Sequence, residues 1–329
     1  MEEIRLGTIG SGFIVHNVVG NLVKMPAVRV AAVYSRSREK GEALAEQYGA
    51  GKVYTDMDAF LGDEEINTVY IATPNLLHHA QAKQALLAGK HVILEKPFCT
   101  RQQDARELVE IARERKLMLV DAVPPSFGPN FQLIRENLGK IGNLKLVMTN
   151  FSQYSSRYDK LLEGELPNIF NPALAGGCLM DLNFYNIYLN VALFGTPLDV
   201  EYYPNFYPGA ADTSGVAVLR YDGFVSQNAA AKDTWGVNFV QIEGDKGYIY
   251  AADGSAALSE IRVVTKTGEE VLNLQDNPDR WYYEAERVTQ LLTAEDREEL
   301  DRRLDVMLDV MGVLETARKK AGIRFPGDE

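Results

Sequence analysis

The chain has 329 residues, which is long enough for two domains that each bury a core. Hydrophobic residues make up 46% and charged residues 24%, so disorder is excluded, and no apolar run is long enough to predict a membrane span. The net charge of -12 is spread along the chain without a Lys/Arg stripe, which argues against a nucleic-acid partner. The opening MEEIRLG does not resemble a signal or transit segment, so a cytoplasmic location is expected.

The first 120 residues alternate between apolar strand-like runs and segments with helical spacing. Strands are predicted at 4–10, 28–34, 67–74, 91–97 and 117–123. Helices are predicted between them, at 10–25, 37–49, 75–89 and 99–116. This βα order predicts a parallel sheet covered on both faces, with ligands bound at the carboxyl ends of the strands.

A glycine turn separates the first strand from the first helix. In Gly10-Ser11-Gly12, backbone N–H groups and a helix N-terminus can bind a pyrophosphate. Position 15 is Val where a full G-x-G-x-x-G motif has glycine, so a simple tight turn is the alternative; the surrounding βα units favour a dinucleotide site. The candidate cofactor-binding residues of this turn are Gly10, Gly12, Phe13 and Ile14.

The residues after the second strand indicate which dinucleotide binds. Ser35 and Arg36 stand where an acid would bind the ribose hydroxyls of NAD. Together with Lys40, they offer a hydroxyl and cations that suit the 2′-phosphate of NADP. The alternative is a solvated helix start in which Ser35 or Ser37 is the N-cap. We expect NADP as the cofactor, with NAD less favoured.

The pattern changes in the second part of the chain. Strands there are joined by turn pairs such as Asp222-Gly223 and Thr267-Gly268, which predicts a largely antiparallel sheet. Two helices are predicted near 279–293 and 296–320. The fold class is therefore α/β. It combines an N-terminal Rossmann domain with a parallel sheet, residues 1–122, and a C-terminal α+β domain with a large, mostly antiparallel open sheet, residues 123–329.

One predicted helix in this second domain carries a carboxylate and a phenol. After Gly177 the apolar residues recur at helical spacing, and Asp181 and Tyr185 are four residues apart, so an α-helix would place them on one face. The alternative is an aromatic helix that packs on the sheet with tyrosine hydroxyls at its margin. The Gly176-Gly177 approach favours a functional site.

Neither a disulfide framework nor a metal site is predicted. Cys99 and Cys178 are far apart and have no CxxC or Cys/His grouping around them. All four histidines lie in the first third of the chain. Proton transfer by the remainder of the chain therefore requires another residue type.

Several of these motifs together resemble the Gfo/Idh/MocA oxidoreductase family. They are the GSG turn, IATPNLLHHAQA, LEKP at the end of a strand, and AGGCLMDLNFY. The resemblance implies a Rossmann domain followed by a domain whose open sheet forms a homodimer or homotetramer. Tyr185 stands where the family commonly has histidine. Members resembling glucose-fructose oxidoreductase and dimeric dihydrodiol dehydrogenase also have tyrosine at this position, and they use NADP.

The resemblance also implies roles for individual residues. Lys96 would lie beside the nicotinamide and the reacting carbon, Tyr185 would donate or accept the proton, and Asp181 would orient the substrate. A phenol is a poor base at neutral pH, and the Lys96 ammonium would lower its pKa. Further residues implied to border the cofactor are Thr73, Asn75, His78 and Glu95. For His78, a bond to a nearby backbone group is an equal alternative.

The leading hypothesis is an NADP-dependent dehydrogenase or reductase that acts on CH–OH groups. It would transfer a hydride between the nicotinamide and a secondary alcohol or carbonyl of a sugar-like or cyclic diol substrate. The alternative is a non-catalytic NADP-binding redox sensor or regulator. An S-adenosylmethionine methyltransferase shares the glycine turn, but it usually has an acid after the second strand. The expected partners are a small-molecule substrate and further copies of the chain, and neither nucleic acid nor a membrane.

Overall fold

The computed structural model describes residues 1–328, which divide into two compact units. The first unit combines Met1–Val123 with Trp281–Leu308. The second combines Pro124–Arg280 with the described residues from 309 onward. Residues 281–308 thus belong to the first unit, whereas the division made from the sequence placed them in the domain 123–329. As functional domains, 1–122 and 123–329 stay a prediction.

Ion pairs hold residues 281–308 in the first unit. The Arg303 guanidinium binds both carboxylate oxygens of Asp121, a residue that is 0% exposed. Arg113 binds Asp301 and Asp305, each at 2.9 Å. A bidentate guanidinium–carboxylate pair requires one relative orientation of its two partners. These contacts join distant parts of the sequence, which local periodicity does not reveal.

The first unit contains a parallel sheet. Its strands are β1 (Ile4–Ile9), β2 (Val28–Tyr34), β3 (Lys52–Tyr54), β4 (Thr68–Ile71), β5 (His91–Glu95) and β6 (Leu119–Ala122). Their order is β3-β2-β1-β4-β5-β6, and every neighbouring pair is parallel. The order reverses between β1 and β4, where sheets of this kind bind ligands at their carboxyl edge. The predicted parallel sheet is confirmed. The three-residue β3 was not predicted because it is too short to show a periodicity.

Helices connect these strands. They are α1 (Phe13–Leu22), α2 (Arg38–Tyr48), α3 (Met57–Leu61), α4 (His78–Leu87) and α5 (Gln102–Glu114), with a 3-10 turn at Asn75–Leu77 before α4. In α5, Ala105, Leu108, Val109 and Ala112 are buried. Their i, i+3, i+4, i+7 spacing forms one apolar stripe, which is why the segment is helical and packs against the sheet.

The helices of the later part of the chain are more irregular. They are α6 (Pro124–Phe127), α7 (Pro129–Asn137), α8 (Tyr158–Leu162), α9 (Phe184–Phe194), α10 (Arg280–Ala294) and α11 (Arg297–Lys320). Short 3-10 turns occupy Leu138–Ile141, Asn168–Phe170 and Pro172–Leu174, and a π-helical turn, Leu179–Asn183, leads directly into α9. The last two helices agree with the predicted 279–293 and 296–320. Within residues 1–328, none of the helices is long and apolar enough to cross a membrane.

The second unit contains an eight-stranded sheet. Its strands are β7 (Leu144–Ser152), β8 (Asp199–Phe206), β9 (Asp212–Arg220), β10 (Val225–Ala231), β11 (Phe239–Gly244), β12 (Gly247–Ala252), β13 (Ile261–Thr265) and β14 (Gly268–Leu272). Their order is β14-β13-β12-β11-β7-β10-β9-β8, in which β7 and β10 are parallel and the other pairs are antiparallel. This confirms the predicted large, mostly antiparallel sheet. Strand β8, with its proline and charged positions, was not predicted.

One face of this sheet carries the core of the second unit. Val147, Val240, Ile242 and Ile249 are each 0% exposed and pack with Leu189 of α9. Residues at the alternate positions face the other way and are more exposed. This alternation is the pattern of a sheet that buries one face within the chain.

Buried asparagines attach α9 and the π-helical turn to the sheet. Asn183 donates a hydrogen bond to the backbone carbonyl of Asn228 at 3.0 Å, and Asn190 donates to the Asn228 side-chain oxygen at 2.8 Å. Thr149 of β7 donates to the same oxygen at 2.8 Å. All four residues are buried. Because an unpaired buried amide is costly, these bonds favour a single register of α9 on β10.

Replacement of Asn228 by alanine tests this attachment. We expect Asn228→Ala to lower the free energy of unfolding by about 2 to 4 kcal/mol, since it removes the buried acceptor of the Thr149 hydroxyl and one of the two acceptors of the Asn190 amide, which keeps its bond to the Asn186 carbonyl. Urea denaturation measures the change. The control is Gln227→Ala on the same strand, because Gln227 is exposed on the opposite face. An Asn228 variant as stable as the Gln227 variant would contradict the expectation.

Candidate active site

The glycine turn after β1 has the backbone shape expected of a dinucleotide turn. Gly10 has a φ of +119°, and a Cβ atom there would lie 2.5 Å from the carbonyl oxygen of Ala72. Only glycine fits this position without a shift of the chain after β4. At Gly12, an ideal Cβ atom would meet no described atom within 4 Å. Gly12 therefore borders open space through which a pyrophosphate could reach the backbone.

The N-terminus of α1 adjoins the same turn. Gly12 is the N-cap residue, and no side chain among residues 1–328 forms a cap hydrogen bond there. Phe13 and Ile14 are the first residues of α1, so the orphan N–H groups of the first turn are suited to bind an anion. The Phe13 ring is 72% exposed and contacts Trp281 edge-on, with 6.4 Å between the ring centroids. The structure thus brings the four residues predicted for this turn together.

The two serines after β2 have different roles. Ser35 is buried, and its Oγ accepts a hydrogen bond from the Ser37 amide at 3.3 Å. Ser37 is the N-cap of α2, and its hydroxyl oxygen accepts from the Lys40 amide at 3.4 Å. The helix-cap alternative therefore holds for Ser37 and does not account for Ser35. A Cβ at Gly41 would lie 3.2 Å from the Cβ of Ser35, which shows how closely α2 approaches this residue.

The cations of this segment differ in their ion pairing. Arg38 lies 3.6 Å from the Glu42 carboxylate, one helical turn away. Arg36 and Lys40 are exposed, and neither forms an ion pair with another residue of the described chain. Two uncompensated cations at the carboxyl end of β2 create a local positive potential. Such a potential suits a phosphate group better than a ribose hydroxyl.

The loop after β4 contains the next group of predicted residues. The Thr73 hydroxyl donates to the Gln81 side chain at 2.6 Å, and Asn75 opens the 3-10 turn. The ring nitrogens of His78 lie 2.8 Å from the Pro97 carbonyl oxygen and 2.9 Å from the Thr73 carbonyl oxygen. The ring is buried, and burial lowers the pKa of His78. Both nitrogens face backbone groups, so His78 joins two loops and offers no nitrogen to a cofactor, which favours the backbone-bonded alternative.

Strand β5 ends at Glu95, Lys96 follows it, and the Lys96–Pro97 peptide bond is cis. Glu95 is buried, and its carboxylate accepts from the Tyr70 hydroxyl at 2.7 Å and from the Lys96 amide at 3.2 Å. The Glu95 carboxylate therefore orients the end of the strand. Lys96 is half-buried at this carboxyl edge. The structure thus places Lys96 at the carboxyl edge of the sheet, and its role toward a ligand stays a prediction.

Two glycines precede the π-helical turn at a point where the backbone passes close to other atoms of the second unit. A Cβ at Gly176 would lie 2.6 Å from the Ile169 carbonyl oxygen, and a Cβ at Gly177, whose φ is +131°, would collide with the Asp212 carboxylate. The chain can pass here only with glycine at both positions. The π-helical turn follows at once, and such turns occur frequently at functional sites.

Asp181 lies in the π-helical turn and Tyr185 in the first turn of α9. The prediction that they share one face assumed α-helical spacing. A π-helical turn closes i→i+5 bonds, so four residues there fall slightly short of one turn, and the shared face stays a prediction. The Tyr185 ring is buried and meets Phe151 and Phe184 edge-on, each with 5.8 Å between ring centroids. These aromatic contacts fix the plane of the phenol.

A lysine that the sequence did not single out pairs with Asp181. The ammonium of Lys232, the residue after β10, donates to the Asp181 carboxylate. The side chain of Lys232 is 6% exposed and that of Asp181 is 21% exposed. A buried lysine requires a partner of opposite charge. Asp181 is therefore held by a specific cation.

Asp212 is a second residue that the sequence did not reveal. Its carboxylate is 1% exposed and accepts from the Leu179 amide and the Tyr202 hydroxyl, both at 2.7 Å. Burial raises the pKa of Asp212 to about 6, while the charge of Lys232 acts in the opposite direction. Asp212 thus binds the start of the π-helical turn, where it replaces a conventional cap.

Sequence patterns contain only weak signals for these two residues. Lys232 ends the predicted strand FVSQNAAAK, as Lys96 lies at the end of a predicted strand, and that position could have identified Lys232 as a candidate site residue. Asp212 lies before a predicted strand in a stretch that reads as an ordinary polar loop. Its burial depends on the glycine approach at Gly177, which is distant in the sequence.

The described residues contain no group of three or more His, Cys, Asp and Glu side chains that could hold a metal ion. Cys99 and Cys178 are both free thiols and buried. Burial raises the pKa of each thiol well above its usual value. Neither cysteine is therefore suited to act as a nucleophile.

Two family models match this chain. Residues 4–122 match the model of the oxidoreductase family with an NAD-binding Rossmann fold, and residues 132–250 match the GFO/IDH/MocA C-terminal domain. The chain belongs to the Gfo/Idh/MocA oxidoreductase family. As a member of this family, it is an NAD(P)-dependent dehydrogenase or reductase that acts on CH–OH groups. The resemblance found in the sequence motifs is confirmed.

Relatives with known names extend over the full chain. The scyllo-inositol 2-dehydrogenase (NADP(+)) IolU of Bacillus subtilis (strain 168) is 31% identical over 327 residues, with 99% of both chains covered. The trans-1,2-dihydrobenzene-1,2-diol dehydrogenase of Sus scrofa is 26% identical over 342 residues, also with 99% of both chains covered.

Solved structures show the same fold. The 3-ketoreductase KijD10 of Actinomadura kijaniata, in complex with NADP and TDP-benzene, matches with a TM-score of 0.84. The match covers 97% of this chain and 98% of KijD10 at 22% identity. GenD2 from gentamicin A biosynthesis, in complex with NAD, matches with a TM-score of 0.80 at 23% identity, over 98% of this chain and 95% of GenD2.

Alanine substitutions at the two glycines of the turn should have different effects. We expect Gly12→Ala to leave thermal stability nearly unchanged but to weaken NADPH binding at least about tenfold, or roughly 1.4 kcal/mol, because the methyl group would occupy the open approach. Gly10→Ala should lower the melting temperature, because it adds both a steric clash and a strained φ. Thermal unfolding and NADPH fluorescence titration measure the two effects. Unchanged NADPH affinity in Gly12→Ala would contradict the assignment of this turn.

Proposed function

We propose that the protein is an NADP-dependent oxidoreductase that interconverts a secondary alcohol and a carbonyl on a sugar-like or cyclic diol substrate. The observation that carries the proposal is the carboxyl edge of the parallel sheet. At this edge the glycine turn follows β1, the cations Arg36 and Lys40 follow β2, and Lys96 follows β5 in an oxidoreductase of known family.

The residues at this edge fit a nicotinamide dinucleotide phosphate. Gly12 and the N-terminus of α1 would receive the pyrophosphate, and Ser35, Arg36 and Lys40 would bind the 2′-phosphate. The missing acid after β2 supports NADP over NAD. IolU, the relative from Bacillus subtilis, carries NADP(+) in its name. When bound, the cofactor supplies the exchange of a hydride with the substrate carbon.

The proton and charge chemistry is assigned to the chain itself. Tyr185 is proposed to exchange a proton with the substrate oxygen through its hydroxyl. The Lys96 ammonium would stabilise negative charge that develops on that oxygen or on the phenol, which lowers the phenol pKa toward neutrality. Asp181 would accept a hydrogen bond from a substrate hydroxyl and so orient the ring.

The names of two relatives support the substrate class. Both scyllo-inositol and trans-1,2-dihydrobenzene-1,2-diol are six-membered carbon rings with hydroxyl groups on neighbouring carbons. A site for such a ring requires an acceptor for the neighbouring hydroxyl as well as a group for the reacting one. Asp181 and Tyr185 are proposed for these two tasks.

We also propose a homodimer or homotetramer formed through the eight-stranded sheet. The face opposite the core exposes large aromatic side chains, including Tyr203 at 64% and Tyr248 at 40%. Exposed aromatic residues on a broad sheet are typical of a protein interface.

Cofactor preference is tested by substitution of the two unpaired cations. We expect the wild-type protein to bind NADPH more tightly than NADH by more than about tenfold, roughly 1.4 kcal/mol. The double variant Arg36→Ala/Lys40→Ala should lose this preference, because the 2′-phosphate would lose its cationic partners. Nicotinamide fluorescence titration measures both affinities.

The matched control is Arg38→Ala, because Arg38 lies in the same segment but pairs with Glu42. This control should keep the preference for NADPH. Equal or tighter binding of NADH to the wild-type protein would contradict the assignment of Ser35 and Arg36 to the phosphate.

The catalytic roles are tested by Lys96→Met and Tyr185→Phe. Each variant should bind NADPH as the wild-type protein does but lose turnover by at least about 100-fold, because each removes a group that handles the proton or its charge. The double variant should lose little more than either single variant if both groups act in one step. Scyllo-inositol and other cyclic vicinal diols with NADP are the first substrates for this assay.

Wild-type turnover in either single variant would contradict its assigned role. A broad screen of polyols and carbonyls that finds no turnover, together with tight NADPH binding, would favour a non-catalytic regulator instead.

A further inference from the structure

Lys232 occupies a rigid position at the end of β10. Its backbone N–H donates to the Thr213 carbonyl at 2.8 Å, and its own carbonyl accepts from the Ser155 amide at 2.9 Å. The residue is therefore held on both sides, by the chain after β7 and by β9. A side chain that leaves such a position has little freedom in where its terminal group lies.

The Lys232 side chain forms a buried ion pair. Lys232 is 6% exposed and its ammonium meets the Asp181 carboxylate. An ion pair at this depth is not an efficient means of gaining stability, because desolvation offsets most of the attraction. Two apolar residues would stabilise the fold about as well. The pair is better explained as a means of holding a charged group in one place.

Several acidic side chains lie on the segments around Tyr185, and the Lys232 ammonium offsets part of their negative charge. The buried or half-buried titratable groups on and around α9 include Tyr188 on the helix itself, Asp181 and Cys178 in and before the π-helical turn, Lys232 and Asp233 after β10, Asp212 on β9 and Tyr202 on β8. The same strands also carry Lys145 on β7, Arg220 on β9, and Asp199 and Glu201 on β8. Strand β7 contributes the uncharged Phe151. Three carboxylates, those of Asp181, Asp212 and Asp233, thus lie on the segments next to Lys232, and Asp181 is the one that its ammonium contacts.

This charge distribution bears on the phenol of Tyr185. Asp181 is four residues away along the π-helical turn and α9. An unpaired Asp181 carboxylate on this segment would oppose the loss of a proton from the phenol, because deprotonation would add a second negative charge to the same short stretch of chain. The Lys232 ammonium offsets the negative charge of Asp181 because it contacts the carboxylate directly.

We propose that Lys232 is a positioning residue of the active site, which fixes the Asp181 carboxylate for the substrate and offsets its charge so that Tyr185 can release its proton. This inference rests on the proposed function of Asp181 and Tyr185. Lys232 does not touch the reacting atoms, and its effect passes through Asp181. Lys96 serves the same phenol in the proposed function, and Lys232 is assigned a separate task.

The first test follows the Tyr185 phenol directly and does not require turnover. Protein labelled with ¹³C at the tyrosine ζ carbon is titrated by NMR, and Tyr185→Phe identifies the signal of Tyr185. We expect Lys232→Met to raise the titration midpoint of this signal by about one pH unit or more, and Lys232→Arg to restore most of the shift. Lys320→Met is the matched control, because Lys320 also pairs with acids of the second unit, Asp199 and Glu201, but at the surface.

A second variant keeps the inference testable if Lys232→Met does not fold. Asp181→Asn has nearly the same shape as the wild-type side chain and removes only the carboxylate charge. It should lower the Tyr185 midpoint, because the carboxylate no longer opposes the phenolate. A midpoint unchanged in both Lys232→Met and Asp181→Asn, or unchanged in the only one that folds, would overturn the inference.

Kinetics separate this inference from the proposed function. With a diol that is turned over, the rising limb of the kcat/KM profile for alcohol oxidation should move to higher pH in Lys232→Met, with NADPH affinity unchanged. If Tyr185→Phe loses turnover while Lys232→Met keeps the wild-type profile, only the role of Lys232 is overturned. If Tyr185→Phe itself retains turnover, the proposed function and the inference both fail.

Discussion

A strand that is hydrogen-bonded to a neighbour on each side fixes the position of the residue that follows its last residue. Strand β5 lies between β4 and β6, and β10 lies between β9 and β7. Lys96 and Lys232 each follow the last residue of such a strand. A lysine on a surface loop would lose much more side-chain entropy on engaging a partner than one whose stem leaves a packed sheet. Both units use this constraint to hold a cation.

Buried polar side chains in the second unit determine how the π-helical turn and α9 lie on the sheet. Asn183 of the π-helical turn and Asn190 of α9 bond to β10, and Asp212 bonds to the first amide of the π-helical turn. Each buried polar atom that finds its partner excludes other registers of the helix, because a shift by one residue would leave it unpaired. The position of Tyr185 is therefore a consequence of contacts made by other side chains.

Much of the fold and part of the site could be predicted from the sequence. Apolar runs and helical spacing indicate most strands and helices, and the glycine turn and Lys96 lie at strand ends that local patterns reveal. The strand-end position of Lys232 is also visible in the sequence, but its burial, like that of Asp212, is not, because the burial of both residues depends on pairing between β9, β10 and β7. The π-helical turn was read as ordinary helix, since its apolar residues have a compatible spacing.

The two units offer different kinds of chemical groups. The first unit presents exposed cations and backbone N–H groups, which suit the phosphates of a dinucleotide. The second presents carboxylates and a phenol, which suit the hydroxyl groups of an uncharged polyol. Acids that recognise hydroxyl groups also hinder a phenol from losing its proton, so such a site requires a compensating cation. In the proposed site, the Asp181–Lys232 pair would meet this requirement within the second unit itself, because the cation contacts the carboxylate that opposes deprotonation of the phenol.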